Sequence, residues 1–273
     1  MTVSEALALA EERLAAAGVE TPRVDAELLL AHLLGTTRTG LYEQLDAELE
    51  PGWEELLERR ERREPLAYVI GEWGFRRLTL KVDSRVLVPR PETEVVVERC
   101  LVRIYDIGTP RVLDVGTGSG AIALAIADEH AGAAVTAIDS SAEALEVAEA
   151  NAEAAGLAER VRFVEHDLAE GLALGEFDLV VSNPPYIRPD EIFELQPEVR
   201  HWEPRHALVG IGVGEQIAAA ARSALRPEGW LVLETAAGTT ERLAERIELL
   251  GYGFVKTTKD LGGLDRVVEG RWL

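Results

Sequence analysis

The sequence contains one cysteine, Cys100, and only three lysines among 273 residues. A single cysteine excludes a disulfide within the chain and any metal cluster built from several cysteines. Cys100 lies in EVVVERCLVRI at helical spacing with apolar neighbours, which favours a buried thiol over a reactive one. No apolar run reaches the roughly 18 residues of a membrane span, and the N-terminus has acids where a signal peptide has basic residues. We therefore expect a cytoplasmic protein.

Positive charge is scarce, because 28 lysines and arginines stand against 49 acids, giving a net charge of -21. Affinity for nucleic acid depends largely on basic side chains that neutralise phosphates, so this balance disfavours a nucleic-acid substrate. A small basic run, RRERR, occupies Arg59 to Arg63. On a helix such a run more often forms a solvated face paired with glutamates than a binding patch.

The first part of the chain has helical periodicity and little strand signal. Thr21 and Pro22 have the residue types of a helix start, and the later segment PGWEELLERRERR is amphipathic. We predict a helical bundle over residues 1–70. Residues 71–91 alternate apolar and polar residues around the dipeptide DS and end in two prolines, which predicts a β-hairpin linker.

Residues 92–273 are predicted to form the catalytic domain. From Arg111 onward, strand patterns alternate with helical ones; the strands are RVLDV, AAVTAID, VRFVEH, FDLVVS, WLVLET, GFVKT and DRVVEGRW. This order predicts an α/β fold with a mostly parallel sheet covered by helices on both faces. The last two strands lie too close together for a crossover helix, so we expect an antiparallel end to the sheet.

A glycine-rich turn, DVGTGSG, follows the first of these strands. Glycines there permit a tight turn and close approach to a ligand, and the next helix begins with free N–H groups. Asp139 ends the second strand, where a carboxylate can accept both ribose hydroxyls of an adenosine. The alternative interpretation is that the glycines only make a turn and the acids only cap helices.

The kind of adenosine cofactor is indicated by Asp114, two residues before the first glycine. Dinucleotide sites use the spacing GxGxxG, whereas this loop has GxGxG, and an acid would repel a pyrophosphate. The sulfonium and ammonium groups of S-adenosylmethionine would instead be attracted, which disfavours a dehydrogenase. After the third strand, Asp167 and Leu168 are expected to lie beside the adenine.

The fourth strand leads into SNPPYI, so Asn183 emerges at the ligand-binding edge of the sheet. Pro184 and Pro185 fix the backbone and donate no N–H, leaving the Asn183 side-chain oxygen and the Pro184 carbonyl as acceptors. Two acceptors suit an NH₂ group on an sp² carbon, either a carboxamide or an exocyclic base amine. Holding both N–H groups aligns the nitrogen for attack on a methyl donor, and Tyr186 is expected to pack on the flat acceptor group. The alternative is a proline-rich turn with an asparagine cap.

Over nearly its whole length the chain resembles the HemK/PrmC family of class I S-adenosylmethionine-dependent methyltransferases. The resemblance rests on EPLAYVIGEWGF, VLVPRPETE, DVGTGSG, SNPPYI, EPRHAL and DLGGLDRVVEGR. It implies a Rossmann-like, seven-stranded catalytic domain that methylates the side-chain amide nitrogen (N5) of glutamine in the Gly-Gly-Gln motif of peptide-chain release factors. S-adenosylmethionine would be converted to S-adenosylhomocysteine.

The resemblance also implies a set of site residues. Cofactor-binding residues would be Asp114, Gly116, Thr117, Gly118, Ser119, Gly120, Asp139, Asp167, Leu168 and Asn183. The glutamine would be bound by Asn183, Pro184, Pro185 and Tyr186, which also form the catalytic set, with Arg90 and Glu92 nearby. We expect no metal, no direct nucleic-acid substrate, no membrane partner and a monomer. Leu168 stands where the family often has an aromatic, and GIGVGEQ is looser than the family's acidic loop.

Three other functions stay open from the sequence. SNPPYI is shared with amino-methyltransferases of adenine and guanine, which would need basic surface and a target-recognition element. A ribosomal-protein glutamine methyltransferase would use the same chemistry on another partner, chosen by the N-terminal bundle. A non-catalytic cofactor-binding module would be expected to lose Asn183 or the glycines, and both are intact.

Overall fold

The computed structural model describes residues 1–273 and divides them into two units. Unit 1 contains Met1–Glu72 and Leu195–Trp202, and unit 2 contains Trp73–Glu194 and Glu203–Leu273. The helices are α1 (Val3–Ala16), α2 (Pro22–Leu33), α3 (Arg38–Leu41), α4 (Trp53–Glu61), α5 (Leu66–Ile70), α6 (Pro91–Ile104), α7 (Ala121–Glu129), α8 (Ala142–Ala154), α9 (Pro197–Trp202), α10 (Arg205–Leu208), α11 (Val213–Ala221) and α12 (Thr240–Leu249). None of them has both the length and the apolar character needed to cross a membrane.

The strands are β1 (Glu72–Phe75), β2 (Leu78–Lys81), β3 (Arg111–Val115), β4 (Ala134–Asp139), β5 (Val161–Glu165), β6 (Phe177–Ser182), β7 (Leu225–Glu234), β8 (Tyr252–Lys259) and β9 (Asp265–Trp272). β1 and β2 form a two-stranded sheet. Their hairpin turn lies at Arg76, whose φ is 50°, so the DS dipeptide is not the hairpin turn that the sequence predicted. A turn does form at Asp83 and Ser84, but after the second strand has ended: the Val86 N–H donates to the Asp83 carbonyl at 3.1 Å, and the Asp83 side chain accepts hydrogen bonds from Arg85.

Unit 1 is helical, and its helices enclose apolar side chains. The N-cap residue of α1 is Thr2, which forms a capping box with Glu5. Thr21 precedes α2, but its hydroxyl donates to Asp25 rather than capping the helix, because the buried carboxylate accepts that proton. Leu14 and Leu57 are among the fully buried side chains of this unit.

A buried ionic cluster explains why residues 195–202 belong to unit 1. Arg60 is only 5% exposed; its guanidinium donates to Asp25 and Glu198, each at 2.7 Å. Arg63 donates to both carboxylate oxygens of Glu198, at 2.7 and 2.6 Å. The sequence analysis included residues 195–202 in the catalytic domain, because no local sequence pattern indicates that Glu198 pairs with Arg60 and Arg63. Arg59 to Arg63 are thus paired with acids as expected, but Arg60 is not on a solvated face.

The main sheet of unit 2 has the order β5-β4-β3-β6-β7-β9-β8. The five strands from β5 to β7 are parallel, and β9 pairs antiparallel with both β7 and β8. The expected α/β class and antiparallel end are confirmed. Along β6, Leu179 and Val181 pack in the core on one face, beside α6 and α7, while Val180 packs on the other, beside α11 and α12. Both faces of the sheet are therefore buried.

We predict that Arg60→Leu lowers the free energy of unfolding by about 3 kcal/mol, since it leaves the buried Asp25 carboxylate without a cation, while Glu198 keeps Arg63. Denaturant unfolding of the full chain, followed by circular dichroism, measures the change. The matched control is Arg62→Leu at the C-cap of the same helix, because the Arg62 side chain is 70% exposed and lies 3.5 Å from Glu58. The control should shift stability by no more than about 0.5 kcal/mol. Equal effects of the two variants would contradict the role assigned to the cluster.

Candidate active site

The candidate site lies where the strand order of the sheet reverses. From β3 the chain proceeds outward through β4 and β5, and then returns to place β6 on the other side of β3. Ligands of open α/β sheets bind in the crevice at the carboxyl ends of such a strand pair. Here the Ser182 hydroxyl donates to the Val115 carbonyl at 2.6 Å, tying the two strand ends together. A pocket of about 230 Å³ opens beside them.

The pocket is lined by residues from several predicted motifs and by others. Those predicted as site residues are Arg90, Gly116, Thr117, Gly118, Ser119, Asp139, Asp167, Leu168, Asn183, Pro184 and Pro185. The lining also includes Arg85, Thr93, Ser140, His166, Ser182 and His206. Four predicted site residues, Asp114, Gly120, Glu92 and Tyr186, do not line it.

The glycine loop between β3 and α7 forms one wall of the pocket. Gly116, Gly118 and Gly120 have φ values of 73°, 55° and 82°, which residues other than glycine rarely adopt. Nothing lies within 4 Å of where a Cβ of Gly116 or Gly118 would stand, so this wall leaves room for a ligand. Gly120 instead packs against α8, where its Cβ would lie 3.3 Å from Ala148 Cβ. It is the N-cap residue of α7 and does not line the cavity.

Asp139 lies at the end of β4 and faces the same loop. Its Oδ2 accepts from the Gly118 N–H at 2.9 Å, and its Oδ1 accepts from the Ser141 N–H at 3.0 Å. These two bonds fix the carboxylate in the pocket wall. A carboxylate has about four acceptor positions, so both oxygens can still accept hydroxyl donors from a ligand.

Asp114 is fully buried behind the glycine loop. Its Oδ2 accepts from the Thr117 hydroxyl at 2.7 Å, and its Oδ1 has no hydrogen-bond partner. Burial, opposed by the hydrogen bond from Thr117 and assisted by the nearby Asp139 charge, raises the pKa of this carboxyl to about 7. Asp114 therefore acts on the pocket through its charge and through Thr117, rather than by lining the pocket itself. An unpaired carboxylate oxygen at this depth suits a cationic ligand in front of the loop.

Asp167 and Leu168 follow the end of β5 and line the pocket. The Asp167 side chain accepts from the Ala169 N–H at 2.8 Å and so caps the short 3-10 helix Leu168–Glu170. Leu168 is half-buried in the pocket wall. His166, which the sequence did not single out, bonds the Gly171 carbonyl through Nε2 at 2.6 Å and also lines the cavity.

Asn183 follows β6 and is held by a hydrogen bond across to the first turn of α6. Its Nδ2 donates to the Thr93 hydroxyl at 3.1 Å, and that hydroxyl donates to Glu234 Oε2 at 2.7 Å. Thr93 is buried, lines the pocket and stands in the PRPETE segment. With its NH₂ group engaged by Thr93, Asn183 keeps its side-chain oxygen as an uncommitted acceptor.

The proline loop after Asn183 is fixed from the other side by Val209 and Gly210. The Ile187 N–H donates to the Leu208 carbonyl at 3.0 Å, and the Gly210 N–H donates to the Ile187 carbonyl at 3.1 Å. A Cβ on Gly210 would lie only 2.6 Å from the Pro185 carbonyl oxygen. The role of the GIGVGEQ segment, left open by the sequence, therefore includes close packing against the proline loop.

Residues 183–186 form the acceptor loop, which ends at Tyr186; Arg90 and Glu92 come from the start of α6. The Tyr186 hydroxyl lies 3.4 Å from Glu234 Oε1, and burial followed by the Glu234 charge raises the Tyr186 pKa to about 12. Arg90 lines the pocket while one Nη donates to both oxygens of buried Glu203, at 2.5 and 2.7 Å. Glu92 is half-buried outside the cavity.

Thr93, Glu203 and Glu234 were not singled out from the sequence. Glu234 did leave a signal, since an acid ending the apolar strand WLVLE at the carboxyl edge of the sheet is unusual in a buried position. Thr93 lies between two glutamates of a segment whose importance the resemblance indicated. No local pattern marks Glu203 as the partner of Arg90, 113 residues away.

Together these residues provide two kinds of chemistry in one cavity. The glycine loop and Asp139 form one wall, with the Asp114 carboxyl behind it, and this wall suits a ligand carrying both hydroxyls and a cation. The Asn183 end presents acceptors to a group that has two N–H donors. The arrangement can therefore hold a cationic donor molecule and a planar NH₂ group side by side.

Comparison with known proteins also indicates a methyltransferase. Residues 5–71 match the family described as the PrmC N-terminal domain, and residues 94–196 match the methyltransferase small domain. A release factor glutamine methyltransferase of Caulobacter vibrioides is 40% identical, over 99% of this chain and 96% of the relative. A protein of the same name from Chlorobaculum tepidum is 45% identical, over 91% of this chain and 90% of the relative.

Solved structures support the fold. A methyltransferase from Pyrococcus furiosus has a TM-score of 0.53 at 22% identity, covering 71% of this chain and 88% of its own. Ribosomal protein L11 methylase from Lactobacillus delbrueckii subsp. bulgaricus has a TM-score of 0.51 at 19% identity, covering 69% and 82%. At these identities the likeness shows the fold alone.

Sheet order, glycine loop and relatives together define a class I S-adenosylmethionine-dependent methyltransferase, and S-adenosylmethionine is its cofactor. Within that class, the identity over nearly the full length of the relatives shows a narrower membership. The chain belongs to the release factor glutamine methyltransferase family.

We predict that Gly210→Ala lowers the rate of methyl transfer by at least about tenfold, because the added Cβ would displace the Pro185 carbonyl and the acceptor loop with it. Single-turnover kinetics with saturating cofactor measure the rate. The matched control is Gly214→Ala in α11, whose Cβ would meet its nearest neighbour, Leu243, at 3.6 Å, an ordinary contact. An unchanged rate in Gly210→Ala, with the control also unchanged, would contradict the packing role of this glycine.

Proposed function

We propose that this protein transfers a methyl group from S-adenosylmethionine to the side-chain amide nitrogen (N5) of the glutamine in the Gly-Gly-Gln motif of class I peptide-chain release factors. The observation that carries the proposal is the orientation of Asn183. Its NH₂ group is engaged by Thr93, so its oxygen is the atom available to a substrate N–H. A glutamine carboxamide has two N–H donors, for which the Asn183 oxygen and the Pro184 carbonyl are the two acceptors.

We assign the cofactor to the glycine-loop end of the pocket. Gly116, Thr117, Gly118 and Ser119 would lie against it, and Asp139 would accept its ribose hydroxyls. Asp114 would stabilise its positive charge from behind the loop, where the unpaired Oδ1 supports this role. Leu168 and Asp167 would border the adenine. S-adenosylmethionine, when bound, supplies an electrophilic methyl group.

The protein residues act on the acceptor nitrogen rather than on the methyl group. An amide nitrogen is a poor nucleophile because its lone pair is delocalised into the carbonyl. Acceptors on both N–H groups fix the nitrogen in line with the incoming carbon and stabilise the positive charge that develops on it. As the new N–C bond forms, the bond from the methyl carbon to the sulfonium sulfur would break, and S-adenosylhomocysteine would leave as a neutral thioether. The nitrogen, now strongly acidic, loses one proton to water. No strong general base is needed.

Tyr186 and Arg90 have supporting parts in this proposal. Tyr186 would pack against the flat carboxamide, with its hydroxyl kept protonated by a pKa raised to about 12. Arg90, fixed by Glu203, would order the acceptor loop together with Glu92, and neither would react. Unit 1 would recognise the protein substrate, a role supported by the match of residues 5–71 to the PrmC N-terminal domain. A substrate of the translation machinery would place the enzyme in the cytoplasm.

The test is label transfer from methyl-labelled S-adenosylmethionine. Parallel reactions contain a class I release factor, the same factor with its Gly-Gly-Gln glutamine replaced, a ribosomal-protein glutamine substrate, and mixed DNA and RNA. We expect label on the intact release factor alone, because only it offers the carboxamide in a partner that unit 1 recognises. Label on nucleic acid would overturn the substrate, and label on the ribosomal protein alone would overturn the partner.

Two variants separate the two ends of the pocket. Asn183→Ala should abolish turnover while leaving cofactor affinity, measured by calorimetry, largely intact. Asp139→Ala should weaken cofactor binding, since it removes the carboxylate assigned to the ribose. Lost cofactor binding in Asn183→Ala, or unchanged affinity in Asp139→Ala, would contradict the assigned roles.

A further inference from the structure

Glu234 is a buried acid beside the acceptor loop, and the reaction chemistry described above does not use it. It ends β7 at the carboxyl edge of the sheet, next to β6, and is only 1% exposed. Oε2 accepts from the Thr93 hydroxyl at 2.7 Å, and Oε1 lies 3.4 Å from the Tyr186 hydroxyl. Glu234 does not line the pocket, so its effect on a substrate must pass through these two neighbours.

The Thr93 hydroxyl has one proton, which it donates in a hydrogen bond to the Glu234 carboxylate. An ionised carboxylate only accepts, so Thr93 must donate to it. The hydroxyl can then only accept from Asn183, and it does so from Nδ2 at 3.1 Å. The Asn183 carboxamide is thereby fixed with its NH₂ toward Thr93 and its oxygen toward the pocket. The reverse orientation would place two lone-pair acceptors, the Asn183 oxygen and the Thr93 oxygen, against each other without a proton.

The orientation of this amide matters because the NH₂ group of the substrate presents only hydrogen-bond donors to the Asn183 side chain. With its oxygen toward the pocket, Asn183 accepts a substrate N–H. With its NH₂ toward the pocket, it would oppose one N–H with another. A rotated Asn183 would occupy the same volume and leave the fold intact, but it would no longer hold the reacting nitrogen.

We propose that Glu234 is a positioning residue that, through the Thr93 hydroxyl, fixes the Asn183 amide with its oxygen toward the substrate nitrogen. The inference rests on the proposed function, because it assigns the aimed oxygen to the glutamine amide. It adds two residues, Thr93 and Glu234, to the specificity for an NH₂ acceptor. The same carboxylate also holds Tyr186, so it supports the loop on both sides of the two prolines.

The charge state of Glu234 makes the proposal testable by pH. The groups that face it are Thr93 and Glu92 from α6, Tyr186 from the acceptor loop and Arg266 from β9. Burial is the main cause that raises the Glu234 pKa and Glu92 adds to it, while Thr93, Arg266 and Tyr186 lower it; the net result is a pKa of about 7. A protonated Glu234 can donate a hydrogen bond to the Thr93 oxygen. The Thr93 hydroxyl can then donate to the Asn183 oxygen, so the orientation of the Asn183 amide is no longer fixed. The active orientation is therefore specified above pH 7 and lost as the pH falls through that value.

The first experiment compares Thr93→Val with Thr93→Ser in the methylation of a class I release factor. Valine removes the hydroxyl and should lower kcat by about 100-fold, the lower end of the loss when one charge-stabilising hydrogen bond is removed from an active site, because Thr93 acts through Asn183. Serine keeps the hydroxyl and should restore most of that loss. Cofactor Kd and the KM for the release factor should change little in both variants. Equal kcat in the valine variant and the wild type would overturn the inference.

The second experiment measures kcat from pH 5.5 to 9 for the wild type, Thr93→Val and Glu234→Gln. We expect the wild-type kcat to fall on the acidic side of about pH 7, and this fall to be absent in both variants. Glu234→Gln should also lose about tenfold in kcat at pH 8, because its amide can offer Thr93 a proton instead of taking one.

The matched control is Glu269→Gln, another fully buried acid in the same sheet, paired with Arg99 and Arg103 away from the pocket. It should lower stability without changing the pH profile of kcat. An acidic limb that persists in Glu234→Gln would overturn the inference while leaving the proposed function standing. No methylation of the release factor by the wild type would instead overturn the proposed function, and the inference with it.

Discussion

The hydrogen bond from the Asn183 amide to the Thr93 hydroxyl is the constraint on which the acceptor site depends. It joins the end of β6 to the first turn of α6, and through Glu234 it reaches the end of β7. The two prolines make the loop stiff, but stiffness alone does not decide which end of an amide faces a ligand. The orientation of the Asn183 amide is fixed by its hydrogen-bond partners: Glu234 accepts from the Thr93 hydroxyl, so that hydroxyl can only accept from Asn183.

Two pairs of buried acids differ in how their charge is compensated. Glu198 and Glu269 are each paired with two arginines, which holds the pKa of each carboxyl below its usual range despite burial. Asp114 and Glu234 have no arginine within ion-pair distance, and burial raises the pKa of each to about 7. Glu198 and Glu269 stabilise structure, whereas Asp114 and Glu234 accept hydrogen bonds from Thr117 and Thr93, which line the pocket. Some of the acids that give the protein its net negative charge therefore lie next to the pocket and act on the site, in addition to the general effect of this charge on binding partners.

Local patterns in the sequence were sufficient for the fold class, for seven strands of the main sheet, and for the glycine loop, Asp139 and the Asn183 loop. Each of these depends on neighbours within a few residues: apolar alternation, glycine spacing or prolines. The contacts of Glu234 with Thr93 and of Glu198 with Arg60 span 141 and 138 residues, so no local pattern announces them. The hairpin turn was misplaced for a related reason, because the DS dipeptide is as good a local turn signal as the actual one at Arg76.

The most direct test of this account is the state of the Asn183 side chain in solution. The chain has only two asparagines, Asn151 and Asn183, so ¹⁵N-asparagine labelling gives two side-chain NH₂ pairs in an NMR spectrum. Asn151 donates to the Lys81 and Ser119 carbonyls, away from Thr93, and serves as the internal reference. We predict that the Asn183 signals shift when the pH falls through about 7 and when Thr93 is changed to valine, while the Asn151 signals stay fixed. Asn183 signals that respond to neither change would contradict the account.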